Sequence, residues 1–166
     1  PISLELGGKS PTIVFDDADI EQAVAGVIFG IFSSQGQSCI AGSRLFVQSA
    51  IRAAFMARLV ERTRALKVGH PREPGTHLGP QISRAHRDSI ERYVQLGRDA
   101  GARVLTGGVR PSGGIYERGA YYAPTILEGL DNQAQVVREE IFGPVLCALE
   151  FRDETDLIAQ ANDSVY

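Results

Sequence analysis

Apolar and polar positions alternate along several short segments of the chain. A period of two places successive side chains on opposite faces of an extended backbone, which is typical of β-strands. The segments with this pattern, or with a short apolar run bounded by turn residues, are ISLEL (2–6), TIVF (12–15), SRLFVQ (43–48), RVLTGG (103–108), YYAPTILEGL (121–130) and PVLCALEF (144–151). We therefore expect a strand in each of them, with a turn at Gly7-Gly8 between the first two.

Between these segments the apolar residues recur every three or four positions, which is the spacing of one face of an α-helix. The first predicted helix starts behind a group of aspartates that ends with Asp19, and their charges favour a helix amino terminus. The second predicted helix carries its apolar residues between 51 and 66. Ser83 is placed to cap a third helix, and the last one covers 153–162.

Strands and helices therefore alternate along the chain. Such alternation predicts a layered α/β domain in which a largely parallel sheet is flanked by helices. With 166 residues, of which 43% are hydrophobic and 22% charged, the chain has the size of one globular domain with a continuous core. Composition alone indicates no activity.

Charge and hydropathy argue against two classes of partner. The net charge is −3, and the 17 basic residues, all arginine except Lys9 and Lys67, are scattered among acids, so we expect no nucleic acid partner. The most apolar run, AVAGVIFGIF (23–32), is shorter than the roughly 20 residues that a membrane-spanning helix needs. We interpret it as a buried helix and expect no membrane segment.

Cysteine and histidine usage bears on the compartment and on metal binding. Cys39 and Cys147 are far apart and have no paired spacing, so we expect neither a zinc knuckle nor a redox pair, and a reducing, cytoplasmic location. His70, His77 and His86 lack metal-ligand spacing, so we expect no metal site and assign them to the surface or to helix caps.

No secretion signal and no initiator methionine open the chain, and we expect a piece of a longer protein.

Two glycine-rich stretches are poor candidates for phosphate binding. GGKS (7–10) lacks the upstream glycine of a phosphate loop, because Ser3 stands at that position, and Pro11 disturbs the start of the helix that should follow. GGVRPSGG (107–114) does not lie between a strand and a well-patterned helix. We interpret it as a mobile surface hairpin.

The segment SSQGQSCIAG (33–42) places Cys39 among small and polar residues, directly after an apolar run. A thiolate is a good nucleophile toward a carbonyl carbon, and it needs a polar, partly open setting to ionise. A packed thiol is the alternative, and it is our interpretation of Cys147 in its apolar strand.

Glu5, beside the glycine turn, is the candidate base, since burial there would raise its pKa. The alternative is that Glu5 is an ordinary glutamate at a strand edge.

Three motifs together resemble the aldehyde dehydrogenase superfamily: ELGGKSP (5–11), GQSC (36–39) and EEIFGPV (139–145). Further similarity lies at LGP (78–80), YYAPTIL (121–127) and ANDSVY (161–166). The resemblance covers the whole chain but only part of a family member. It implies a truncated catalytic domain, with a nicotinamide-binding domain before it and the rest of the catalytic domain and an oligomerisation arm after it.

The resemblance also implies roles for individual residues. Cys39 would attack the aldehyde carbon to form a thiohemiacetal, its backbone N–H would bind the oxyanion, and hydride transfer to NAD⁺ or NADP⁺ would leave a thioester. Glu5 would activate the water that hydrolyses this thioester. Glu140 matches the carboxylate that binds the nicotinamide ribose hydroxyls, and Phe142 matches the ring beside that ribose. Ser34 stands where the family often has asparagine.

The expected protein is therefore an NAD(P)-dependent aldehyde dehydrogenase with a small-molecule aldehyde as substrate. Two alternatives remain open. One is the acylating type, in which coenzyme A takes the acyl group, although the presence of Glu5 favours hydrolysis; the other is a catalytically silent structural or interaction module with the same fold. We also expect a homo-oligomer, and we expect residues 1–166 alone to be inactive because most of the cofactor site would lie outside them.

Overall fold

A five-stranded sheet forms the centre of the computed structural model, which describes residues 1–166. The strands are β1 (Pro11–Val14), β2 (Arg44–Gln48), β3 (Arg103–Thr106), β4 (Thr125–Glu128) and β5 (Val145–Phe151). They lie side by side in the order β1-β2-β5-β4-β3. All neighbouring pairs are parallel except β3 and β4, which pair in antiparallel fashion at one edge. The prediction of a largely parallel sheet is confirmed.

Five helices flank the sheet, and capping residues mark the start of three of them. The helices are α1 (Ile20–Phe32), α2 (Arg52–Arg64), α3 (Arg84–Asp99), α4 (Gln135–Arg138) and α5 (Glu154–Asn162). Asp19, Ser83 and Asp153 each accept a hydrogen bond from the backbone N–H three residues further on, across 3.0, 3.1 and 2.9 Å. Each bond satisfies a donor that the first turn of a helix leaves free.

Apolar side chains cover both faces of the sheet. On one face, α1 and α2 pack around residues such as Val24 and Phe55. On the other face, α3, α4 and α5 pack around residues such as Ile90. Neighbouring residues of β2 divide between the two sides, with Leu45 in the first core and Phe46 in the second. Strands buried on both faces have near-continuous apolar sequences, so β2 and β5 could be identified from sequence.

The segment 2–6 is not a strand, although its alternating pattern predicted one. It pairs with no other segment, and Ile2 and Leu4 are 89% and 71% exposed. An alternating segment forms a strand only where the edge of a sheet supplies hydrogen-bond partners for its backbone. The segment 2–6 precedes the edge strand β1 in the chain and does not lie beside any strand. The predicted strand at 121–130 is also shorter than expected, because only Thr125–Glu128 is paired.

Two helices differ from the sequence-based interpretation. The apolar run 23–32 lies in α1 and is half buried, since Phe29 is 75% exposed while Val24 and Ile31 are in the core. The helix α4 was not predicted, because four residues are too few to show a helical period. None of the helices combines the length and the apolar character needed to cross a membrane.

Candidate active site

The four residues singled out in the sequence line one cleft. Glu5, Cys39, Glu140 and Phe142 reach it from three widely separated segments of the chain. Leu6, Gly7, Gln37 and Ser38 complete the lining. The cleft has a volume of about 430 Å³ and is open to solvent.

The sheet topology explains why these segments meet. The segments that carry Glu5, Cys39 and Glu140 lead into β1, β2 and β5 respectively. These strands are neighbours in the sheet and run parallel to one another. The segments that precede them therefore arrive at the same, amino-terminal edge of the sheet. Ligands of open α/β sheets more commonly bind at the carboxyl edge, so this cleft lies at the opposite edge.

The Gly7-Gly8 pair allows the first segment to approach the other two. The backbone N–H of Gly8 donates a hydrogen bond to Glu140 Oε1 across 3.0 Å. A Cβ atom on Gly8 would collide with the carbonyl oxygen of Cys39, and one on Gly7 would lie 2.5 Å from Glu140 Oε2. Gly8 is therefore required by the close approach of two backbone segments, whereas a side chain at residue 7 would have to displace the Glu140 carboxylate.

Three non-glycine residues have a strained backbone, and they lie in two of the segments that form the cleft. Ser34, Gln35 and Phe142 are the non-glycine residues with positive φ, at 50°, 58° and 54°. Gly36, at 71°, packs so closely on Gly143 that a Cβ atom there would collide with the Gly143 carbonyl group. Left-handed conformations of non-glycine residues cost about 1–3 kcal/mol each and cluster at functional sites. Of these residues, Phe142 lines the cleft, and Ser34 and Gln35 lie in the segment that leads to Cys39.

The two thiols have opposite surroundings. Cys39 is exposed at the cleft. Cys147 lies in β5, is 1% exposed, and donates a hydrogen bond from Sγ to the carbonyl oxygen of Val136 across 3.5 Å. Burial raises the pKa of the Cys147 thiol, which favours its neutral form. The fold therefore leaves Cys39 as the thiol that a solute can reach.

Glu5 is exposed, and the expectation that it would be buried is wrong. The cause is local, because the segment 2–6 forms no strand that could pack onto the domain. Its apolar neighbours Leu4 and Leu6 are each 71% exposed, so they do not enclose the carboxylate. Glu5 nevertheless lines the same cleft as Cys39.

Two buried cations fix the segment that follows Glu5. Lys9 is 2% exposed, and its Nζ donates to the carbonyl oxygen of Val136 across 2.9 Å. Arg44 is also buried, and its Nε donates to the carbonyl oxygen of Lys9 across 2.8 Å. Burial is the main cause that lowers the pKa of Lys9. Lys9 stands in the glycine-rich stretch 7–10, which does not fit a phosphate loop, and no spacing in the sequence indicates its contact with Val136.

His86 contacts the cleft wall from α3. Its Nε2 lies 2.6 Å from the carbonyl oxygen of Phe142, and the two rings meet edge to face with centroids 6.0 Å apart. From their spacing, all three histidines are expected at the surface or at helix caps. His70 and His77 fit that assignment, because each accepts a hydrogen bond at Nδ1 from a backbone N–H. The partner of His86 is 56 residues away, so the sequence carried no local signal for it.

The cleft combines groups that suit carbonyl chemistry. An exposed thiol can add to a carbonyl carbon, and an exposed carboxylate such as Glu5 can accept a proton from water. Glu140 can accept hydrogen bonds from hydroxyl groups at oxygens held in place by Gly8. No group of histidine, cysteine, aspartate and glutamate side chains in the structure is placed to hold a metal ion.

Comparison with known sequences identifies the family. The model of the aldehyde dehydrogenase family matches residues 1–166. A betaine aldehyde dehydrogenase of Sinorhizobium fredii is 48% identical over 161 residues, which cover 97% of this chain and 33% of that enzyme. The corresponding enzyme of Brucella anthropi is 46% identical over 165 residues, which cover 99% and 34%. The chain belongs to the aldehyde dehydrogenase family, and it spans about a third of the length of these relatives.

Solved structures agree with this assignment. HpcC from Thermus thermophilus superposes with a TM-score of 0.94 at 46% identity, over 98% of this chain and 32% of that one. Betaine aldehyde dehydrogenase from Staphylococcus aureus in complex with NAD⁺ gives a TM-score of 0.95 at 41% identity, over the same shares. The family resemblance and the fold expected from the three motifs are confirmed.

Proposed function

We propose that these residues form the catalytic part of a longer enzyme that oxidises an aldehyde to its carboxylic acid with NAD⁺ or NADP⁺. The meeting of Cys39, Glu5 and Glu140 in one cleft carries the proposal, in a chain of the aldehyde dehydrogenase family. The domain that binds the rest of the dinucleotide, and the end of the catalytic domain, would lie outside residues 1–166. The NAD⁺ in the Staphylococcus aureus relative supports NAD⁺ as the first cofactor to test.

Cys39 is the proposed nucleophile. A bond forms between its Sγ and the aldehyde carbon while the carbonyl π-bond opens, and the Cys39 backbone N–H stabilises the resulting oxyanion. Bound NAD(P)⁺ supplies the hydride acceptor. Loss of hydride from the former aldehyde carbon converts the thiohemiacetal into a thioester on Cys39. The exposure of this thiol supports the role, since the buried Cys147 cannot reach a substrate.

Glu5 is the proposed base for product release. It accepts a proton from water while the water oxygen attacks the thioester carbonyl. The carbon–sulfur bond then breaks, which releases the carboxylic acid and regenerates the thiolate of Cys39. The carboxylate lines the same cleft as the thiol, and its exposure gives water direct access. An enzyme that passes the acyl group to coenzyme A would not need this base.

Glu140 and Phe142 are proposed to hold the nicotinamide ribose. Gly8 fixes the Glu140 carboxylate through Oε1, and Gly7 leaves room beside Oε2 because it has no Cβ. Acceptor oxygens held at a fixed position fit the two neighbouring hydroxyl groups of a ribose. The Phe142 ring, 38% exposed in the same cleft, offers an apolar surface next to them.

The proposal is tested by exchanging the two thiols separately in the full-length polypeptide that contains these residues. Cys39→Ala is expected to abolish the formation of NADH or NADPH from an aldehyde, and Cys147→Ala, the matched control, is expected to keep most of it. Substantial oxidation by Cys39→Ala, or equal losses in both variants, would contradict the assignment. A silent module would show no oxidation even without substitution, and an acylating enzyme would require coenzyme A.

A further inference from the structure

Phe142 is held in a conformation that its own backbone disfavours. Its φ of 54° lies in the left-handed region, which a bulky residue without special support rarely adopts. Such a residue persists only where surrounding contacts fix it. The next residue, Gly143, is closely packed as well, because a Cβ there would lie 2.5 Å from Ile90 Cδ1.

The contact that holds Phe142 comes from His86. A carbonyl oxygen only accepts hydrogen bonds, so the 2.6 Å contact requires that His86 Nε2 carries a proton and donates it to the Phe142 carbonyl. The edge-to-face contact of the two rings, with an interplanar angle of 67°, adds a second restraint on Phe142. One histidine therefore restrains both the backbone and the ring of this residue.

His86 is itself held rigidly at the start of α3. Its backbone N–H donates to Ser83 Oγ across 3.1 Å, which is the capping bond of that helix. The helix is anchored in the core by Ile90 and Val94, both fully buried. The His86 imidazole thus connects a helix that is fixed in the core to Phe142 in the wall of the cleft.

We propose that His86 is a positioning residue for cofactor binding. It keeps Phe142, and with it the neighbouring carboxylate of Glu140, in the geometry that receives the nicotinamide ribose. Gly8 holds Glu140 from one side and His86 holds the same short segment from the other. The inference rests on the proposed function, because it assumes that Glu140 and Phe142 contact the cofactor.

The test compares His86→Ala, His86→Gln and the control His70→Ala in the full-length polypeptide. Loss of one hydrogen bond worth about 1.4 kcal/mol corresponds to about a tenfold weaker affinity. We therefore expect His86→Ala to raise the KM for NAD(P)⁺ and the Kd for NADH, measured without aldehyde, about tenfold, with little change in the KM for aldehyde. His86→Gln, whose amide N–H can donate in the same direction, is expected to recover most of the affinity, and His70→Ala to change nothing.

Each result decides between the inference and the function beneath it. An unchanged cofactor affinity in His86→Ala, in a protein whose unsubstituted form binds NADH, overturns the positioning role and leaves the proposed function intact. Equal losses in His86→Ala and His86→Gln overturn the role of the hydrogen bond. A protein that binds neither NADH nor NADPH before any substitution overturns the proposed function itself. Melting temperatures of all variants separate a loss of folding from a loss of affinity.

Discussion

Gly8 and Glu140 are joined by a hydrogen bond of 3.0 Å, although 132 residues separate them in the sequence. The same glycine also packs against the carbonyl oxygen of Cys39. One position without a side chain therefore contacts both of the other segments that form the cleft. The absence of a side chain at residue 8 is what allows the three segments of the cleft to come together.

Gly8→Ala is expected to lower kcat/KM for aldehyde oxidation by about a hundredfold, since a displacement of about 1 Å at a reacting group can have that effect. The new Cβ must displace the Cys39 backbone, because that carbonyl oxygen cannot rotate away. Gly26→Ala is the matched control. It lies in α1 with nothing within 4 Å of a new Cβ, and it should leave activity unchanged while it stabilises the helix by about 0.5–1 kcal/mol. Normal activity of Gly8→Ala in steady-state assays would show that a Cβ at residue 8 does not displace Cys39 from its reactive position.

Glu5→Gln is expected to separate the two halves of the reaction. The amide cannot accept a proton from water, so hydrolysis should stop while hydride transfer continues. Rapid mixing should then show one NADH per active site followed by a stall, and intact-protein mass spectrometry should show an acyl group on Cys39. Full steady-state turnover by Glu5→Gln would remove Glu5 from the mechanism.

Alkylation should distinguish the two cysteines in the folded protein. At neutral pH iodoacetamide is expected to modify Cys39 and to leave Cys147 unmodified, because burial both blocks access to Cys147 and raises its thiol pKa. Denaturation should make both cysteines reactive. Peptide mass spectrometry before and after denaturation gives the two patterns, and similar native rates would show that Cys147 is accessible.

Tyr122 is expected to give a late component in alkaline titration. Burial raises its pKa to about 12, from the ordinary tyrosine value of 10.0. Because folding raises the pKa of Tyr122, this group makes a contribution to the free energy of unfolding that is fully present below pH 10 and is lost as the pH rises toward 12. Its hydroxyl, moreover, has no hydrogen-bond partner within the chain. Tyr122→Phe should therefore remove the contribution of Tyr122 to the late component and leave the melting temperature at neutral pH unchanged or raised. The free energy of unfolding should increase by up to about 1 kcal/mol.

Tyr93 provides the matched contrast. Its hydroxyl donates to Glu139 Oε2 across 2.7 Å, and this bond is the main cause that raises its pKa to about 12. Tyr93→Phe should remove the contribution of Tyr93 to the late component, but it should lower the melting temperature because a hydrogen bond is lost. Ultraviolet titration and thermal melts of both variants provide the measurement. If both variants change the melting temperature in the same direction, the contrast between the unpaired Tyr122 hydroxyl and the hydrogen-bonded Tyr93 hydroxyl is refuted.

Residues 1–166 alone are expected to bind aldehyde and cofactor too weakly for catalysis. They contain the nucleophile, but most of the dinucleotide site and a second oxyanion donor would belong to the rest of the enzyme, and positioning supplies much of the lowered barrier. The purified 166-residue chain should therefore form no NADH or NADPH with aldehydes that the full-length polypeptide oxidises. Comparable rates for the two proteins would show that the remainder is dispensable.

Much of the fold follows from local pattern. Asp19 and Ser83 cap helices whose apolar spacing is regular, and β2 and β5 are apolar because both faces of the sheet are covered. The convergence of Glu5, Cys39 and Glu140 was anticipated only through the family motifs. It depends on the order of strands in the sheet, which no local pattern encodes.

The features that sequence reasoning missed depend on contacts between distant segments. The segment 2–6 has a strand-like pattern but meets no free edge, so Glu5 stays exposed. The link between His86 and Phe142 spans 56 residues, and the buried Lys9 reaches Val136 across 127. Each side chain is ordinary in its local sequence, and only the folded chain gives it a partner.

The position of the cleft at the starts of β1, β2 and β5 has a consequence for how the protein folds. Parallel strands pair only after long connections have closed, and the β5 segment joins β2 from the far end of the chain. Such long-range pairing is the slow part of folding. A chain emerging from the ribosome therefore carries Cys39 as an ordinary thiol for some time, without Glu140 beside it. In that interval Cys147 is also exposed, so newly made molecules should react with alkylating agents at both cysteines, and the docking of β5 should leave only Cys39 accessible.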